Sequence, residues 1–543
     1  MPNPQTNSPG DKAASMDDIR KTAESVVLLI LDGWGVSANR TGNAILHANP
    51  QTFTRLWNEY PHQVLQAYSP VDAAAGQMGA SDIGHASLGT GRLVHSDISD
   101  ISIAIASGDF FKAPMLHEVQ DYVHKERTAL HLVGMVSKGG AHSHVDHLYG
   151  LLEFARRSKI PNVYVHAITD GVDTPNDSAE SQIRTLENLM QKAGIGKLAS
   201  VSGRDWAMDR AGDWRKTTAA YRAMIGTGAF KAHGLDEVFH DSNERLETDY
   251  DLSPTMIVDE HGAAVGPIRA KDAVITFNTR PDRMVQLVQL LANPAGNHGF
   301  RLFRSSVFVG PNVFTMTDYH MNGVQTLFQH AVVDDSLARI ISDHGISQAR
   351  VSTHDREAHI TYYFNGGRSD PFPDETRYIV AGEFEQGLQS VVSKLLPLIQ
   401  SKKHRFIVVN IDTVDRTAHG GDFMRTTQAV QQVDDALAKI TAAITAVGGT
   451  CLITADHGNA ESMLKDHVRH RHTSNGVPWI FVSPGNRRQI RSNLSTLTPP
   501  TGMPDARASL ADVAPTVLAL FGISKPTSMT GASLVPKATT RTE

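Results

Sequence analysis

Aspartate and histidine residues lie beside several apolar runs of this chain. They are Asp32 after residues 25–31, Asp415 and His419 after 406–411, Asp456 and His457 after 450–455, and His472 shortly before 479–482. Their carboxylate oxygens and imidazole nitrogens suit Mn²⁺, Zn²⁺ and similar ions, and the lack of cysteine in this set disfavours a closed structural zinc site. Asp415 and His419 are four residues apart and would face the same way on a helical turn.

Each of these residues also has a purely structural explanation. A lone aspartate after a strand is more often a turn or helix-cap residue. A lone histidine is more often exposed or held by hydrogen bonds than bound to metal. The recurrence of both types at strand ends that converge in space gives a metal site equal weight with the structural alternative.

Ser81 lies in a glycine-rich segment, Gly-Gln-Met-Gly-Ala-Ser-Asp-Ile-Gly-His, over residues 76–85. Glycine lets the backbone turn tightly and approach a ligand, although a surface loop is the simpler explanation of the spacing alone. A serine hydroxyl is a weak nucleophile until a base or a metal promotes loss of its proton. Beside a metal site, Ser81 would be a candidate nucleophile.

Arginines follow two other apolar runs. They are Arg204 and Arg210 after residues 198–202, and Arg280 and Arg283 after 272–277. Guanidinium groups bind phosphate and carboxylate through paired hydrogen bonds. Any one of these arginines could be an ordinary surface charge, but their equivalent positions favour an anion pocket in the middle of the chain.

The elements that position these residues alternate between strand and helix. The apolar, β-branched runs at 25–31, 406–411 and 450–455 predict buried parallel strands, and the spacing of apolar residues over 430–447 predicts a helix. Strand, helix, strand in this order predicts a parallel sheet with right-handed crossovers. Ligands gather at the carboxyl ends of the strands in such sheets.

A second α/β series is predicted in the middle of the chain. Its strands are predicted at 131–136, 162–168, 198–202 and 272–277, and its helices at 144–158 and 178–194. A chain of 543 residues exceeds the size of one core, so two domains are expected. We expect a disordered tail over 1–23, a discontinuous domain of 24–96 and 329–543, and an inserted domain of 97–328.

Composition excludes several classes of protein. The formal net charge of -6 argues against a nucleic-acid binder. The N-terminus lacks the pattern of a secretory signal, and the longest apolar run, 26–31, is too short to span a membrane. The single cysteine, Cys451, cannot form an internal disulfide. We expect a soluble, cytoplasmic monomer, because no surplus apolar stripe or coiled-coil repeat is visible.

These motifs, taken in order, resemble the 2,3-bisphosphoglycerate-independent phosphoglycerate mutase family from about residue 24 onwards. The segments that carry the resemblance are 26–35, 76–92, 136–144, 201–210, 277–283, 365–373, 415–419, 455–460, 472–478, 511–516 and 529–531. Asp-His-Gly at 456–458 matches only the wider alkaline phosphatase superfamily. Gln-Met-Gly with Ser81 and Gly-His, together with Arg-Pro-Asp-Arg at 280–283, is specific to the family.

The resemblance implies a fold, an activity and a set of site residues. The fold is an alkaline-phosphatase-like α/β domain with an inserted α/β phosphotransferase domain. The activity is the interconversion of 3-phosphoglycerate and 2-phosphoglycerate, a step of glycolysis and gluconeogenesis, through a phosphoserine at Ser81 and with two divalent ions. Mn²⁺ is the expected ion, with Zn²⁺, Co²⁺ and Mg²⁺ as alternatives.

The resemblance also assigns ligands. One ion would be held by Asp415, His419 and His472, and the other by Asp32, Ser81, Asp456 and His457. The substrate would be held by His142, Asp173, Arg204, Arg210, Arg280, Arg283 and Arg356, and Arg356 would also neutralise charge during the reaction.

The chain departs from the family pattern at four places. Ala80 and Asp82 flank Ser81 where the family has Asn and Glu, and Arg356 replaces a lysine. Val172 replaces an arginine that grips the substrate, and a charged hydrogen bond of that kind contributes about 1.5–3 kcal/mol. Lys138 replaces an acidic residue and is a candidate to compensate for that loss.

Two rival functions stay open at this point. A phosphomonoesterase or sugar-phosphate mutase of the same superfamily is favoured by Val172 and disfavoured by Arg280 and Arg283, and a sulfatase fits the Ser81 segment poorly. A non-enzymatic binding module is disfavoured by the full set of metal ligands.

Overall fold

The computed structural model describes residues 24–69, 72, 79–292, 311–329, 332–463, 472–487 and 508–535. The predicted disordered tail, 1–23, lies outside the described residues, as do residues 76–78 of the glycine-rich segment. None of the described helices is long and apolar enough to cross a membrane.

Fifteen strands run through the described residues. In chain order they are β1 (Val26–Leu31), β2 (His62–Leu65), β3 (Leu130–Met135), β4 (Val163–Thr169), β5 (Lys197–Gly203), β6 (Phe230–Ala232), β7 (Thr255–Ile257), β8 (Ala273–Thr276), β9 (Asn312–Thr315), β10 (Gln325–Thr326), β11 (Gln348–Thr353), β12 (Glu375–Val380), β13 (Phe406–Ile411), β14 (Thr450–Thr454) and β15 (Val477–Val482).

Sixteen α-helices are described beside them. They are α1 (Ala44–Ala48), α2 (Gln51–Glu59), α3 (Ser81–Thr90), α4 (Asp97–Ser107), α5 (Pro114–Glu126), α6 (Val145–Arg157), α7 (Ala179–Ala193), α8 (Arg204–Ala207), α9 (Trp214–Met224), α10 (Leu235–Glu244), α11 (Val285–Ala292), α12 (Leu337–Asp343), α13 (Phe384–Ser401), α14 (Thr413–His419), α15 (Phe423–Ala446) and α16 (Val513–Leu520). Short 3₁₀ turns occupy Asp109–Lys112, His354–Arg356 and Leu510–Asp512, and a π-helical turn occupies His359–Tyr363.

The described residues form two compact units. The first, called the terminal unit, contains the described residues up to 95 and from 332 onwards. The second, called the central unit, contains the described residues of 96–329. The domain boundaries predicted from the sequence, near 96 and 328, lie close to these divisions.

The terminal unit is built on a seven-stranded sheet in the order β12-β11-β13-β1-β14-β15-β2. The five strands from β12 to β14 are parallel. β1, β13 and β14 are buried along their whole length, as expected for strands covered by helices on both faces. Because these three strands are neighbours and parallel, the residues that follow them meet at one edge of the sheet.

The central unit has its own sheet of eight strands, in the order β10-β9-β8-β3-β4-β5-β7-β6. Its strands are parallel except where β5 meets β7. Helix α6 begins at the N-cap His144, and α7 ends at Gly194, whose φ of 65° is left-handed, a conformation that glycine adopts without strain. β3, β4, β5 and β8 lie within about two residues of their predicted positions.

The predicted α/β class with mainly parallel sheets is confirmed, with one difference in the terminal unit. The apolar run at 479–482 forms part of β15, which is antiparallel to β14 and to β2. The described residues between β14 and β15 include no helix. Antiparallel neighbours do not require the crossover connection that parallel strands need.

Candidate functional site

Three neighbouring strands of the terminal unit place the predicted carboxylates together. Asp32 directly follows β1, Asp415 lies in the first turn of α14 after β13, and Asp456 follows β14 by two residues. All three carboxylates are fully buried. Burial of three acids at one sheet edge carries a high free-energy cost unless cations or hydrogen bonds compensate it.

Ser81 contacts one group of these residues. Its Oγ lies 2.7 Å from Nε2 of His457. The same Nε2 is 3.5 Å from Oδ1 of Asp32 and 3.4 Å from Oδ2 of Asp456. Ser81 is also the first residue of α3, and a helix N-terminus favours negative charge.

A second group surrounds Asp415. Nε2 of His419 lies 3.4 Å from Oδ2 of Asp415, and Nε2 of His472 lies 3.7 Å from its Oδ1. The two imidazoles approach each other, with 2.9 Å between their Nε2 atoms. His472 also stacks on His457, with ring centroids 3.6 Å apart, so the two groups adjoin.

The donors in both groups fit divalent ions. Ligand atoms of Asp32, Asp456 and His457 lie within 4.8 Å of one another, as do those of Asp415, His457 and His472. Within the described part of the chain, Oδ1 of Asp32 and Oδ2 of Asp456 are buried without a hydrogen-bond partner. These carboxylate oxygens lie beside imidazole nitrogens and form with them the oxygen and nitrogen set that Mn²⁺ or Zn²⁺ accepts.

Arg356 lies against both groups. Its Nε donates to Oδ2 of Asp32 and its Nη2 donates to Oδ2 of Asp415, each at 2.6 Å. Burial opposes the charge of this guanidinium, but the carboxylates of Asp32 and Asp415 outweigh burial and raise its pKa. Arg356 therefore keeps a permanent positive charge at the site.

The three carboxylates differ in acidity. Burial, followed by the nearby charge of Asp456, raises the pKa of Asp32 to about 6. Burial also opposes the charge of Asp456, but His457 and His85 outweigh it and lower its pKa. For Asp415, contacts with His419 and His457 likewise overcome burial, and its pKa is well below the usual range.

In the central unit, the other predicted residues follow strands β3, β4, β5 and β8. Nη1 of Arg204, the first residue of α8, donates to Oδ1 of Asp170 at 2.6 Å and to Oδ2 of Asp173 at 2.8 Å. Asp170 also accepts from Oγ of Ser137 at 2.6 Å and from two backbone N–H groups. Arg204 is thus buried and held in one direction.

The remaining arginines of this group are more open. Nε of Arg280 pairs with Oδ1 of Asp282 at 3.1 Å, and its side chain is 60% exposed. Burial, followed by the charges of Arg204 and Arg210, lowers the pKa of Arg283. Burial and Arg204 also lower the pKa of His142 to about 4. After burial, neighbouring guanidinium groups are the next cause of both shifts, which shows that positive charges are grouped here.

The positions that depart from the family pattern lie near Arg204 in the central unit and near Ser81 in the terminal unit. Val172 is half-buried, and its backbone N–H donates to Oδ1 of Asp170. Lys138 is exposed and precedes Gly139, where an added Cβ would lie 2.7 Å from the Cβ of Asp173. Ala80 is the N-cap of α3 and offers no side-chain hydrogen bond to it.

Sequence reasoning missed several residues that support the site. Nδ2 of Asn459 donates to Oδ1 of Asp415 at 2.7 Å. His85 and Asn410 lie behind the Ser81 group, and Asp170 holds Arg204. The sequence does carry a signal for Asn410, because it is the one polar residue within the otherwise apolar strand β13.

Comparisons with known proteins found a family model, curated relatives and a solved structure that are similar to this chain. Residues 101–321 match the family described as BPG-independent PGAM N-terminus. The 2,3-bisphosphoglycerate-independent phosphoglycerate mutase of Synechococcus sp. (strain JA-3-3Ab) is 39% identical over 526 residues, which cover 94% of this chain and 96% of that protein. The protein of the same name from Clostridium acetobutylicum is 36% identical over 530 residues, covering 94% and 99%. The solved structure of Leishmania mexicana phosphoglycerate mutase at low cobalt concentration matches with a TM-score of 0.67 and 24% identity, covering 94% of this chain and 97% of that one.

Proposed function

Since the chain belongs to the 2,3-bisphosphoglycerate-independent phosphoglycerate mutase family, we propose that it interconverts 3-phosphoglycerate and 2-phosphoglycerate through a phosphoserine at Ser81. The observation that carries this proposal is the position of the Ser81 hydroxyl. It lies at the N-terminus of α3, 2.7 Å from Nε2 of His457, and that nitrogen faces Oδ1 of Asp32 and Oδ2 of Asp456.

Two divalent ions are part of the proposal. Asp415, His419 and His472 would hold one ion, and Asp32, Ser81, Asp456 and His457 would hold the other. When bound, such ions act as Lewis acids that stabilise charge on phosphoryl oxygens. We propose Mn²⁺, with Zn²⁺, Co²⁺ and Mg²⁺ as alternatives, since carboxylate and imidazole ligands accept all of them.

The protein's own residues divide the phosphoryl transfer into two displacements. In the first, Oγ of Ser81 forms a bond to phosphorus while the bond from phosphorus to the 3-oxygen of the substrate breaks. The Ser81 hydroxyl gives up its proton and the 3-oxygen takes one up to leave as a hydroxyl. In the second, the 2-hydroxyl of the retained glycerate gives up its proton and bonds to phosphorus, while the bond from phosphorus to Oγ breaks and Ser81 regains a proton. Arg356 offers fixed positive charge to the phosphoryl oxygens, in keeping with the electrostatic character of such reactions.

The central unit would retain the glycerate. Its proposed ligands are His142, Asp173, Arg204, Arg210, Arg280 and Arg283. Guanidinium groups pair with carboxylate through two parallel hydrogen bonds. The buried Asp170 and the half-buried Asp173 hold Arg204 in place before any ligand arrives, which reduces the entropy lost on binding.

The same proposal specifies the partner of the protein, its oligomeric state and its location. A small phosphorylated acid is the partner, and neither nucleic acid nor membrane is needed. The formal net charge of -6 argues against binding to nucleic acid. We propose a cytoplasmic monomer.

Replacing Ser81 with alanine tests the mechanism. Mutase turnover without added 2,3-bisphosphoglycerate should fall by about 10⁴-fold or more, because the nucleophile is lost. Mass spectrometry of the native protein, quenched during turnover, should find phosphate on the peptide that contains Ser81. Ser87 is a buried serine of the same helix, so Ser87→Ala is the matched control and should keep the phosphopeptide. Normal turnover by Ser81→Ala would overturn the proposal.

A phosphomonoesterase is the second candidate, favoured by the apolar Val172 beside Asp173. The rates of 2-phosphoglycerate formation and of phosphate release from 3-phosphoglycerate separate the two functions. We expect mutase turnover to exceed release of free phosphate. Faster phosphate release would assign the chain to the hydrolases.

A further inference from the structure

His85 is a fully buried histidine that the proposed chemistry does not use. It lies one helical turn after Ser81 in α3, and its Nδ1 is 2.7 Å from the backbone carbonyl oxygen of Ser81. The same nitrogen lies 3.3 Å from Oδ2 of Asp456. One ring nitrogen therefore faces both the helix end that carries the nucleophile and a carboxylate of the proposed metal site.

The other ring nitrogen of His85 faces a second carboxylate through Asn410. Nε2 of His85 is 3.0 Å from Oδ1 of Asn410. Nδ2 of Asn410 donates to Oδ2 of Asp32 at 3.0 Å. Asn410 is buried on β13, and its neighbour across the sheet is Ile30 of β1. The contacts join α3, β13 and the residues that follow β1 and β14.

Helix α3 also packs unusually close to Asp456. A Cβ added at Gly84 would lie 2.5 Å from the backbone oxygen of Asp456 and 2.8 Å from its Cβ. Glycine thus lets the helix backbone rest directly on the residue that follows β14. His85, the next residue, then fixes the helix against sliding or rotating on that contact.

We infer that His85 is a positioning residue, which uses Nδ1 to set Ser81 against Asp456 and uses Nε2, through Asn410, to orient Asp32. This inference rests on the proposed function, because it takes Ser81, Asp32 and Asp456 as the working groups. Groups that orient metal ligands typically change metal affinity or activity by about 10–100-fold when they are replaced. A histidine that only filled space would have no such effect.

The two ring nitrogens can be separated by substitution. The side-chain amide of asparagine reaches the place of Nδ1, whereas that of glutamine reaches the place of Nε2. His85→Asn therefore keeps the side that faces Ser81 and Asp456, and His85→Gln keeps the side that faces Asn410. Asn410→Ala leaves His85 intact and breaks only the link to Asp32, so it serves if the His85 variants fail to fold.

His404→Gln is the matched control. His404 is a buried histidine of the same unit that hydrogen-bonds to the Tyr378 hydroxyl. It precedes β13, at the end of the strand opposite to the site. Its replacement tests whether the loss of any buried histidine in this unit is enough to disturb the site.

The experiment is calorimetric titration of the chelator-treated full chain with Mn²⁺, together with kcat and KM at saturating Mn²⁺. We expect His85→Gln and Asn410→Ala to weaken Mn²⁺ binding by about 10–100-fold, His85→Asn to weaken it less than His85→Gln, and His404→Gln to leave it unchanged. KM for 3-phosphoglycerate should stay within about twofold, because the arginines of the central unit are untouched.

Two outcomes would overturn the inference. One is native Mn²⁺ affinity in both His85→Gln and Asn410→Ala, and the other is an equal loss in His404→Gln. Failure of the inference can be distinguished from failure of the proposed function. If Ser81→Ala is inactive while His85→Gln and Asn410→Ala both bind Mn²⁺ normally, only the inference fails. If Ser81→Ala turns over normally, the proposed function fails whatever His85 does.

Discussion

The two units hold their charged residues in opposite ways. In the terminal unit, Asp32, Asp415 and Asp456 are fully buried, and each is fixed by a hydrogen bond or an ion pair. In the central unit, Arg204 is buried between carboxylates, whereas Arg280 is 60% exposed. The terminal unit holds its carboxylates in buried, fixed positions, whereas the central unit combines a buried arginine, Arg204, with an exposed one, Arg280.

This difference suits the two tasks proposed for the units. Groups that stabilise a transition state gain most from being fixed before the reaction, since no reorganisation is then needed. A pocket that retains glycerate while the glycerate reorients needs one fixed cation, such as Arg204, and other side chains that can move with the ligand, such as Arg280. Substitutions in the terminal unit should therefore act on turnover and metal binding, and those on exposed arginines should act on KM.

The largest effect that tests this comparison is expected from Asp456→Asn. The substitution leaves the size of the side chain almost unchanged, but it removes the negative charge that faces His457 and His85. Lewis-acid stabilisation is worth several kcal/mol, so turnover should fall roughly a thousandfold. Mn²⁺ affinity, measured by calorimetry, should fall with it, and KM should change little.

Asp434→Asn is the control for that substitution. Asp434 is another buried carboxylate of the terminal unit, which accepts from the backbone N–H groups of Thr52 and Phe53. Its replacement should lower the unfolding temperature and leave Mn²⁺ affinity unchanged. The division of tasks would be refuted by an Asp456→Asn variant that keeps native turnover and raises only KM.

A smaller effect should distinguish the buried Arg204 from the exposed Arg280 in the central unit. Arg280→Ala removes an exposed guanidinium, and the loss of one charged hydrogen bond should raise KM by about 10–100-fold without changing stability. Arg204→Ala should raise KM as well and should also destabilise the protein by about 3–5 kcal/mol, because Asp170 and Asp173 lose their buried partner. Steady-state kinetics and urea unfolding measure the two effects.

The outcome that matters is the stability difference between these two variants. Equal stabilities would show that Arg204 is as dispensable to the fold as Arg280. A native KM in both variants would show that the cluster does not bind the substrate.

Much of the fold could be predicted, because buried parallel strands leave a plain mark in the sequence. The runs that form β1, β13 and β14 are apolar and β-branched, and each is followed by an acid at a turn. Parallel pairing then requires those acids to meet. The grouping of Asp32, Asp415 and Asp456 could thus be expected from local patterns alone.

The contacts behind those acids could not be predicted in the same way. His85 and Asn410 are 325 residues apart in sequence, and no local pattern states which polar groups will face each other across a sheet. The direction of β15 was also hidden, because an apolar run has the same appearance in parallel and antiparallel neighbours. Both features depend on packing of distant segments rather than on periodicity.

The smallest effect concerns buried histidines and sharpens the contrast between the units. In the terminal unit, burial opposes the charge of His85, but contact with Asp456 outweighs it and raises its pKa. In the central unit, burial and then the nearby His144 lower the pKa of His147 to about 4. Acid should therefore weaken the central unit through His147, because its folded surroundings favour the neutral ring.

The direction of this change in stability with pH follows from proton binding in the folded and unfolded chains. An unfolded histidine binds its proton near its ordinary pKa of 6.5, whereas folded His147 binds it only near 4. Protons thus favour unfolding between those values, so stability is full above pH 6.5 and falls as the pH drops towards 4. For one group the loss is at most roughly 3 kcal/mol.

His147→Gln cannot charge, yet its amide can still donate to the backbone oxygen of Ile98 as Nε2 does now. Urea unfolding at pH 7, 6, 5 and 4 should show a shallower decline for His147→Gln than for the native protein, and parallel declines would show that His147 does not make the central unit acid-sensitive.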